Sequence, residues 1–241
     1  WQKLSSELEA YLAEVPGLPV APAATRAEAR AELAGYDFAA PRSPETVVED
    51  TARLLKKYLL HTAHPAYFGV FNPAASTMGV AAEMLAAGFN PQLASSASAS
   101  IAIEIENHLL AWFGERFGYD RQEVRGAFTS GGSAANHTAL LCALTARVPG
   151  FATEGLAGAR PVVYASTETH HSILRAARLC GLGTSAVVEL PVDADLRLDV
   201  AALTARIAQD RAAGKLPLFV VSTLGTTSAG TFDDTSRIAE V

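Results

Sequence analysis

Cysteine is nearly absent from the 241-residue sequence: Cys142 and Cys180 stand far apart, outside any C-x-x-C pair. That excludes a disulfide framework and leads us to expect two buried thiols in a reducing compartment. Long apolar runs are missing as well. None approaches the ~18 residues of a membrane span, and the N-terminus lacks the basic-then-apolar pattern of a signal peptide. An excess of positive charge is also lacking. With a net charge of -6 and a pI near 5.5, nucleic acid and anionic membrane are poor partners, and a cytoplasmic protein with a small-molecule ligand is expected. No G-x-x-x-x-G-K-[ST], G-x-G-x-x-G or G-x-S-x-G motif occurs, so nucleotide cradles and the serine-hydrolase elbow are set aside. Internal repeats and low-complexity tracts are absent too.

What is there is a chain of 49% hydrophobic and 18% charged residues, enough for one sizeable core or a core plus an appendage. It opens at Trp1 and closes on "DDTSRIAEV" without a glycine cap, so a piece of a longer protein is expected. Leu4, Leu8, Tyr11 and Leu12 have helical spacing, and the proline-rich stretch 15–26 reads as an extended connector. A second helix is predicted from Ser43, with Pro44 in its first turn, to Leu60. Residues 61–76 read as a loop and residues 78–87 as helix. From Ser98, a stripe of Ile101, Ile105, Leu109 and Trp112 or Phe113 predicts a long amphipathic helix.

Beyond it the texture changes. "PVVYAS", "SAVVEL" and "PLFVVST" are short β-rich runs of the kind buried on both faces. Helical stretches near 172–180 and 200–213 alternate with them, the latter capped by Asp199. This alternation predicts an α/β fold with a mostly parallel sheet. Its division is expected at residue 90, with a helical segment and loop before it and the sheet-bearing part from 91 to 241.

Three loops carry possible chemistry, because α/β sheets bind ligands outside the carboxyl ends of their strands. In "FTSGGSAANHTALL", Gly131 and Gly132 let the backbone approach an anion, while Ser130, Ser133 and the free N–H groups of the helix start can donate to it. A plain glycine-serine cap would look the same. After "PVVYAS", His170 and His171 stand at a helix entrance; being adjacent they point apart and make a poor metal pair, and no metal is expected. A helix-capping histidine beside an exposed one is the alternative. After "PLFVVST", Gly225, Thr226 and Thr227 form a third polar turn, or an ordinary one.

Together, "HPAYFG", "ASSASASIAIEIENHLLAW", "GAFTSGGSAANHTALLCA", "VYASTETHHSILRAARLCGLG" and "VVSTLGTTSAGTFDD" resemble, in order and spacing, landmarks of the pyridoxal-phosphate-dependent amino-acid decarboxylases of the aromatic-L-amino-acid and glutamate decarboxylase group. The resemblance runs from about His61 to the C-terminus. It implies a fold-type-I large domain, incomplete here and preceded by the helical N-terminal segment, with pyridoxal 5'-phosphate as cofactor. It implies a phosphate cradle at Gly131, Gly132 and Ser133, and a ring-stacking, substrate-orienting histidine at His170. Thr226 and Thr227 would lie against the cofactor. His64, Pro65, Tyr67, Phe68, Phe71 and Ala74 would line the substrate pocket, and Ser95 to Ser98 match a pocket segment often shared across a dimer. A lyase acting as a cytoplasmic homodimer on an L-amino acid is the implied whole.

The resemblance also marks departures. Many relatives carry Glu where Ala134 stands, and His171 occupies a position that is often small and polar. The family's pyridine-binding aspartate and its His-Lys pair have no match here. The only lysines are Lys3, Lys56, Lys57 and Lys215, and Asp233 and Asp234 come too early. The Schiff-base lysine is therefore expected beyond residue 241, and these residues alone are expected to be inactive. A shortened non-catalytic binding or dimerisation module, or a carbon-carbon lyase or aminotransferase using the same cofactor, remains open. Tyr67, Phe68 and Phe71 lean towards an aromatic or apolar substrate side chain.

Overall fold

A computed structural model describes residues 1–70 and 72–241. The chain divides into two compact units, Trp1–Asn90 and Pro91–Val241.

The first unit is helical. Helices α1 (Gln2–Glu14) and α3 (Pro44–Tyr58) pack together, with α2 (Arg26–Leu33) between them in sequence and α4 (Thr77–Phe89) after them. The proline-rich connector is extended except for a 3-10 turn over Val15–Gly17. Helix α2 is not foreseen by the apolar spacing, but its start is written in "TRAE". Thr25 Oγ1 accepts from the Glu28 N–H at 3.2 Å and Glu28 Oε2 accepts from the Thr25 N–H at 2.6 Å, a reciprocal cap. Glu32, at the other end of α2, takes Lys57, Arg53 and Tyr58 of α3, and these partners, Lys57 foremost, pull its carboxyl down to about 2. His61 is buried where α3 ends; its Nε2 donates to the Lys56 carbonyl at 3.0 Å, leaving Nδ1 to accept from the Tyr11 hydroxyl at 3.1 Å.

The second unit is a three-layer α/β/α structure. Its sheet has the order β2-β1-β3, all parallel, from β1 (Pro161–Ser166), β2 (Val187–Leu190) and β3 (Leu216–Val220). Every residue of β1 is buried. Period-two alternation sends Val163 and Ala165 to one face and Val162 and Tyr164 to the other. The first pair meets Leu140 and Leu144 of α6 (Gly132–Arg147) and Ile173, Ala176 and Ala177 of α8 (Ser172–Leu179). The second meets Leu203 and Ile207 of α9 (Val200–Ala212) and Ile238 of α10 (Thr235–Ala239). The chain thus runs from β1 over one face to β2, then back over the other face to β3. Between α6 and β1 lies the single turn α7 (Phe151–Glu154). Pro217 cannot donate to the ladder, and the register against β1 slips at that point, between Val162 and Val163.

The expected burial of both thiols fails. Cys142 is exposed and Cys180 only partly buried, because Leu140 and Leu144 turn the core face of α6 inward and Cys142 lies between them on its far side. The apolar stripe of α5 (Ser96–Arg116) is present but uncovered: Ile101 is 73% and Ile105 55% exposed, and neither core cluster draws on it. A non-helical Ala99 also kinks the start of α5.

One buried charge serves the sheet. Asp210 of α9 accepts from Tyr164 at 3.1 Å, Arg206 at 2.9 Å and Lys215 at 2.7 Å. Burial opposes its charge, yet Lys215, Arg206 and Tyr164 together hold its carboxyl below the ordinary aspartate range, while burial first and Asp210 second push the Tyr164 phenol up. In the intact gene product, Asp210→Asn should lower stability by about 2 kcal/mol at neutral pH by weakening these charged hydrogen bonds. A depressed carboxylate stabilises above its unfolded value of about 3.9 and loses that contribution as pH falls through its folded value. Urea titrations of parent and variant should therefore differ at neutral pH and converge in acid.

Candidate cofactor site

The direction of winding reverses at β1, so the crevice beyond the carboxyl ends of β1 and β3 is the switch point where open α/β sheets bind ligands. Two of the three loops singled out from the sequence leave the sheet there. The remaining polar stretch, at Gly131 to Ser133, opens α6, which packs beside α8 and over β3.

Side-chain bridges join all three. Asn136, one turn into α6, donates from Nδ2 to Ser172 Oγ at 2.8 Å, and Ser172 Oγ lies 2.9 Å from His170 Nδ1. In the loop before α8, Glu168 accepts from Ser228 Oγ of the third loop at 2.6 Å. The third loop is itself pinned. Thr226 is buried, with Oγ1 accepting the Thr231 N–H at 3.1 Å, whereas Thr227 is exposed. Asp233 closes the base of that loop: one carboxylate oxygen accepts from the Leu198 N–H at 2.8 Å and the other from the Thr223 N–H at 2.7 Å. Asp234 caps α10 by accepting from the Arg237 N–H. Both aspartates are thus occupied with backbone groups.

At the start of α6, residues 131–133 fit an anion. Side chains of Thr25, Ser43, Ser76, Asp199 and Asp234 cap α2, α3, α4, α9 and α10, whereas α6, like α1, α5 and α7, has no side-chain cap among the described residues. The N–H groups of Ala134 and Ala135 bond the Gly131 carbonyl at 3.0 and 3.1 Å, which leaves those of Gly132 and Ser133 without a carbonyl to bond in the first turn. They carry the positive end of a 16-residue helix. A Cβ placed on Gly131 or Gly132 would meet nothing within 4 Å, so the approach to the backbone is open. The Ser133 hydroxyl adds a further donor. A dianionic phosphate needs such a set of donors with no carboxylate among them.

His170 and His171 are both exposed, their ring centroids 6.4 Å apart and tilted by 50°. His170 also acts as the cap considered from sequence, since its Nδ1 accepts the Ser172 N–H at 3.2 Å. Capping and facing a ligand are compatible here, because the cap uses only one edge of the ring. Among the described residues, no group of three or more His, Cys, Asp or Glu side chains converges as a metal site. Ser172, Asn136, Glu168, Ser228 and Asp233 were not foreseen as parts of the site. Only Ser172 gave a signal, as a serine two residues after His170 at a helix start.

The remaining sequence-predicted residues belong to the first unit, apart from Ser95 to Ser98 at the start of the second. His64 Nδ1 accepts the Ala66 N–H at 2.9 Å in a tight turn. Tyr67 is half-buried, and Pro65, Phe68 and Ala74 are exposed. Phe71 lies outside the described residues. Ser95 precedes α5, with its hydroxyl 2.6 Å from that of Ser98.

Comparison with known proteins defines the class. The pyridoxal-dependent decarboxylase conserved domain matches residues 30–241, and the chain belongs to that family. It is 31% identical over 198 residues to an aromatic-L-amino-acid decarboxylase of Bacillus atrophaeus, which covers 82% of this chain and 40% of the relative. A glutamate decarboxylase of Drosophila melanogaster is also 31% identical, over 199 residues, 82% of this chain and 38% of its own. Among solved structures, the glutamate decarboxylase domain of diaminobutyrate-pyruvate transaminase and L-2,4-diaminobutyrate decarboxylase from Vibrio parahaemolyticus superposes with a TM-score of 0.89. Its identity is 26%, over 99% of this chain and 53% of that one. The fold is therefore that of the fold-type-I pyridoxal-phosphate decarboxylases, and the chain spans about half of that structure and about 40% of the curated relatives.

The Asp233 bridge has a measurable consequence. Asp233→Asn in the intact gene product leaves one of two buried backbone N–H groups facing an amide that cannot accept on both sides, which should cost about 2 kcal/mol. Urea unfolding should register that loss, and Asp234→Asn should cost little, since asparagine caps as well as aspartate.

Proposed function

We propose that the protein to which this chain belongs is a pyridoxal-phosphate-dependent L-amino-acid decarboxylase, releasing the amine and carbon dioxide. The observation that carries this reading is the bridging of three polar loops around a sheet switch point in a chain of the pyridoxal-dependent decarboxylase family. Residues 91–241 act as the first part of the cofactor-binding domain. Residues 1–90 contribute the helical segment and pocket loop.

When bound, pyridoxal phosphate supplies the electron sink for breaking the bond to the carboxylate. The first-turn N–H groups of Gly132 and Ser133, the Ser133 hydroxyl and the open backbone at Gly131 hold its phosphate. His170 would stack on the cofactor ring and orient the substrate carboxylate, whose bond has to stand perpendicular to that ring to break. Thr226 and Thr227 flank the cofactor on the third loop, with Thr226 shaping the turn and Thr227 open to a ligand. His64, Pro65, Tyr67, Phe68 and Ala74 supply the substrate-pocket loop and favour an apolar or aromatic side chain. The covalent lysine comes from the sequence after residue 241. All four lysines here are in ion pairs, Lys3 with Glu7 and Glu49, Lys56 with Glu14, Lys57 with Glu32 and Lys215 with Asp210. The working protein is a cytoplasmic homodimer; the uncovered apolar stripe of α5 supports a partner surface, and among the described residues no helix is long and apolar enough to cross a membrane.

Adding pyridoxal phosphate to the intact gene product should produce the visible absorbance of the protein-bound cofactor, and L-amino acids should then yield carbon dioxide. No absorbance change, or keto acid in place of carbon dioxide, would sink this reading. Ser133→Ala should weaken cofactor binding about tenfold through loss of a hydrogen bond to a charged group, with the thermal midpoint unchanged.

A further inference from the structure

We infer that Ser172 and Asn136 are positioning residues that lock the His170 ring in one plane and one tautomer, with the neutral ring's proton on Nε2. The inference concerns this chain's own groups; only its use by the cofactor rests on the function proposed above.

The hydrogen bonds set the direction of each proton. A backbone N–H can only donate, and that of Ser172 points at His170 Nδ1 from 3.2 Å. Nδ1 therefore presents its lone pair. The Ser172 hydroxyl has one proton, and its oxygen already accepts from Asn136 Nδ2 at 2.8 Å, so the proton goes to His170 Nδ1 at 2.9 Å. Two donors from one residue then converge on a single ring nitrogen. The proton of the neutral ring is left on Nε2, and a half-turn of the ring would replace an acceptor with a C–H.

A simple helix cap needs only the backbone bond. The additional expense is a partly buried asparagine amide on a neighbouring helix, committed to a serine that is only 3% exposed. Asn136 lies one turn from Gly132 on the same face. The turn of α6 that offers N–H donors to an anion therefore also fixes the ring of His170. The two are held in register by one serine. The ring itself remains exposed, with a face for stacking and an Nε2–H free to donate to a carboxylate.

The test reads the tautomer directly, on the intact gene product without cofactor. Histidine is labelled with nitrogen-15, His170 is assigned by its loss in His170→Asn, and spectra are taken at about pH 8, where imidazoles are neutral. The parent should show an unprotonated Nδ1 and a protonated Nε2. Ser172→Ala keeps the backbone donor but removes the hydroxyl, and should move the tautomer ratio about fivefold towards Nδ1–H, the value of one ordinary hydrogen bond. Asn136→Asp is isosteric and guards against failure of the first variant to fold. Its carboxylate takes the Ser172 proton and turns the hydroxyl lone pair towards Nδ1, shifting the ratio the same way. An Nδ1–H or averaged ring in the parent, or an unchanged ratio in the variants that fold, overturns the inference.

A second arm uses pyridoxal phosphate. Ser172→Ala should weaken its binding about fivefold and reduce the circular dichroism of the cofactor band, and should do neither in a His170→Phe background. A loss that persists in that background would mean that Ser172 does not act through His170, which also overturns the inference. If the parent binds no pyridoxal phosphate, the proposed function fails while the tautomer spectra still decide this point.

Discussion

Burial of β1 on both faces is the constraint from which the second unit follows. A strand of Pro-Val-Val-Tyr-Ala-Ser with every residue covered needs a layer of helices above and another below. Its alternating side chains assign α6 and α8 to one layer and α9 and α10 to the other. Tyr164 and Ser166 bring polar atoms inward: Thr169 meets the serine hydroxyl, and the buried Asp210, itself paired with the part-exposed Arg206 and Lys215, meets the phenol. Helices on opposite faces mean that the chain leaves β1 in one direction and returns on its other side. The crevice at its carboxyl end is therefore a result of packing before it is a matter of chemistry.

The site uses that crevice economically. Loops are poor at holding geometry, yet each of these is tied to a rigid element by a short bridge. Asn136 and Ser172 join the two helices on one face. Glu168 and Ser228 join the loops that leave β1 and β3. Asp233 ties the stretch before α9 to the end of β3 through backbone groups alone. The glycines at the start of α6 stay unencumbered because the bridging is done one turn further along.

Much of this was legible in the sequence. The three β-rich runs, the Asp199 cap and the helix beginning at Pro44 were read correctly because each is a local signal: continuous burial, a capping side chain, a proline suited to a first turn. Helix α2 was missed because only its cap marks it, in a stretch whose apolar spacing is weak. The α5 stripe was rightly seen as a stripe, but periodicity reports which residues share a face and not whether anything covers it. Cys142 was expected inside on residue type alone, whereas its position between two core leucines placed it outside. For the candidate site, the three loops stand out in the sequence by glycine and histidine in context. The bridges could not, since Asn136 and Ser172 are 36 residues apart and Glu168 and Ser228 are 60 apart, and ordinary serines and asparagines carry no mark of their partners.

The ion-paired lysines have a consequence beyond stability. An aldehyde condenses only with a neutral amine, and a carboxylate beside an ammonium keeps it protonated. Glu49 and Glu7 push the Lys3 amine up, and Glu32 does the same for Lys57. The amines of Lys3 and Lys57 are therefore poor nucleophiles towards an aldehyde. At these two positions the surface is guarded against adventitious imine formation by the same carboxylates that tie the helices together.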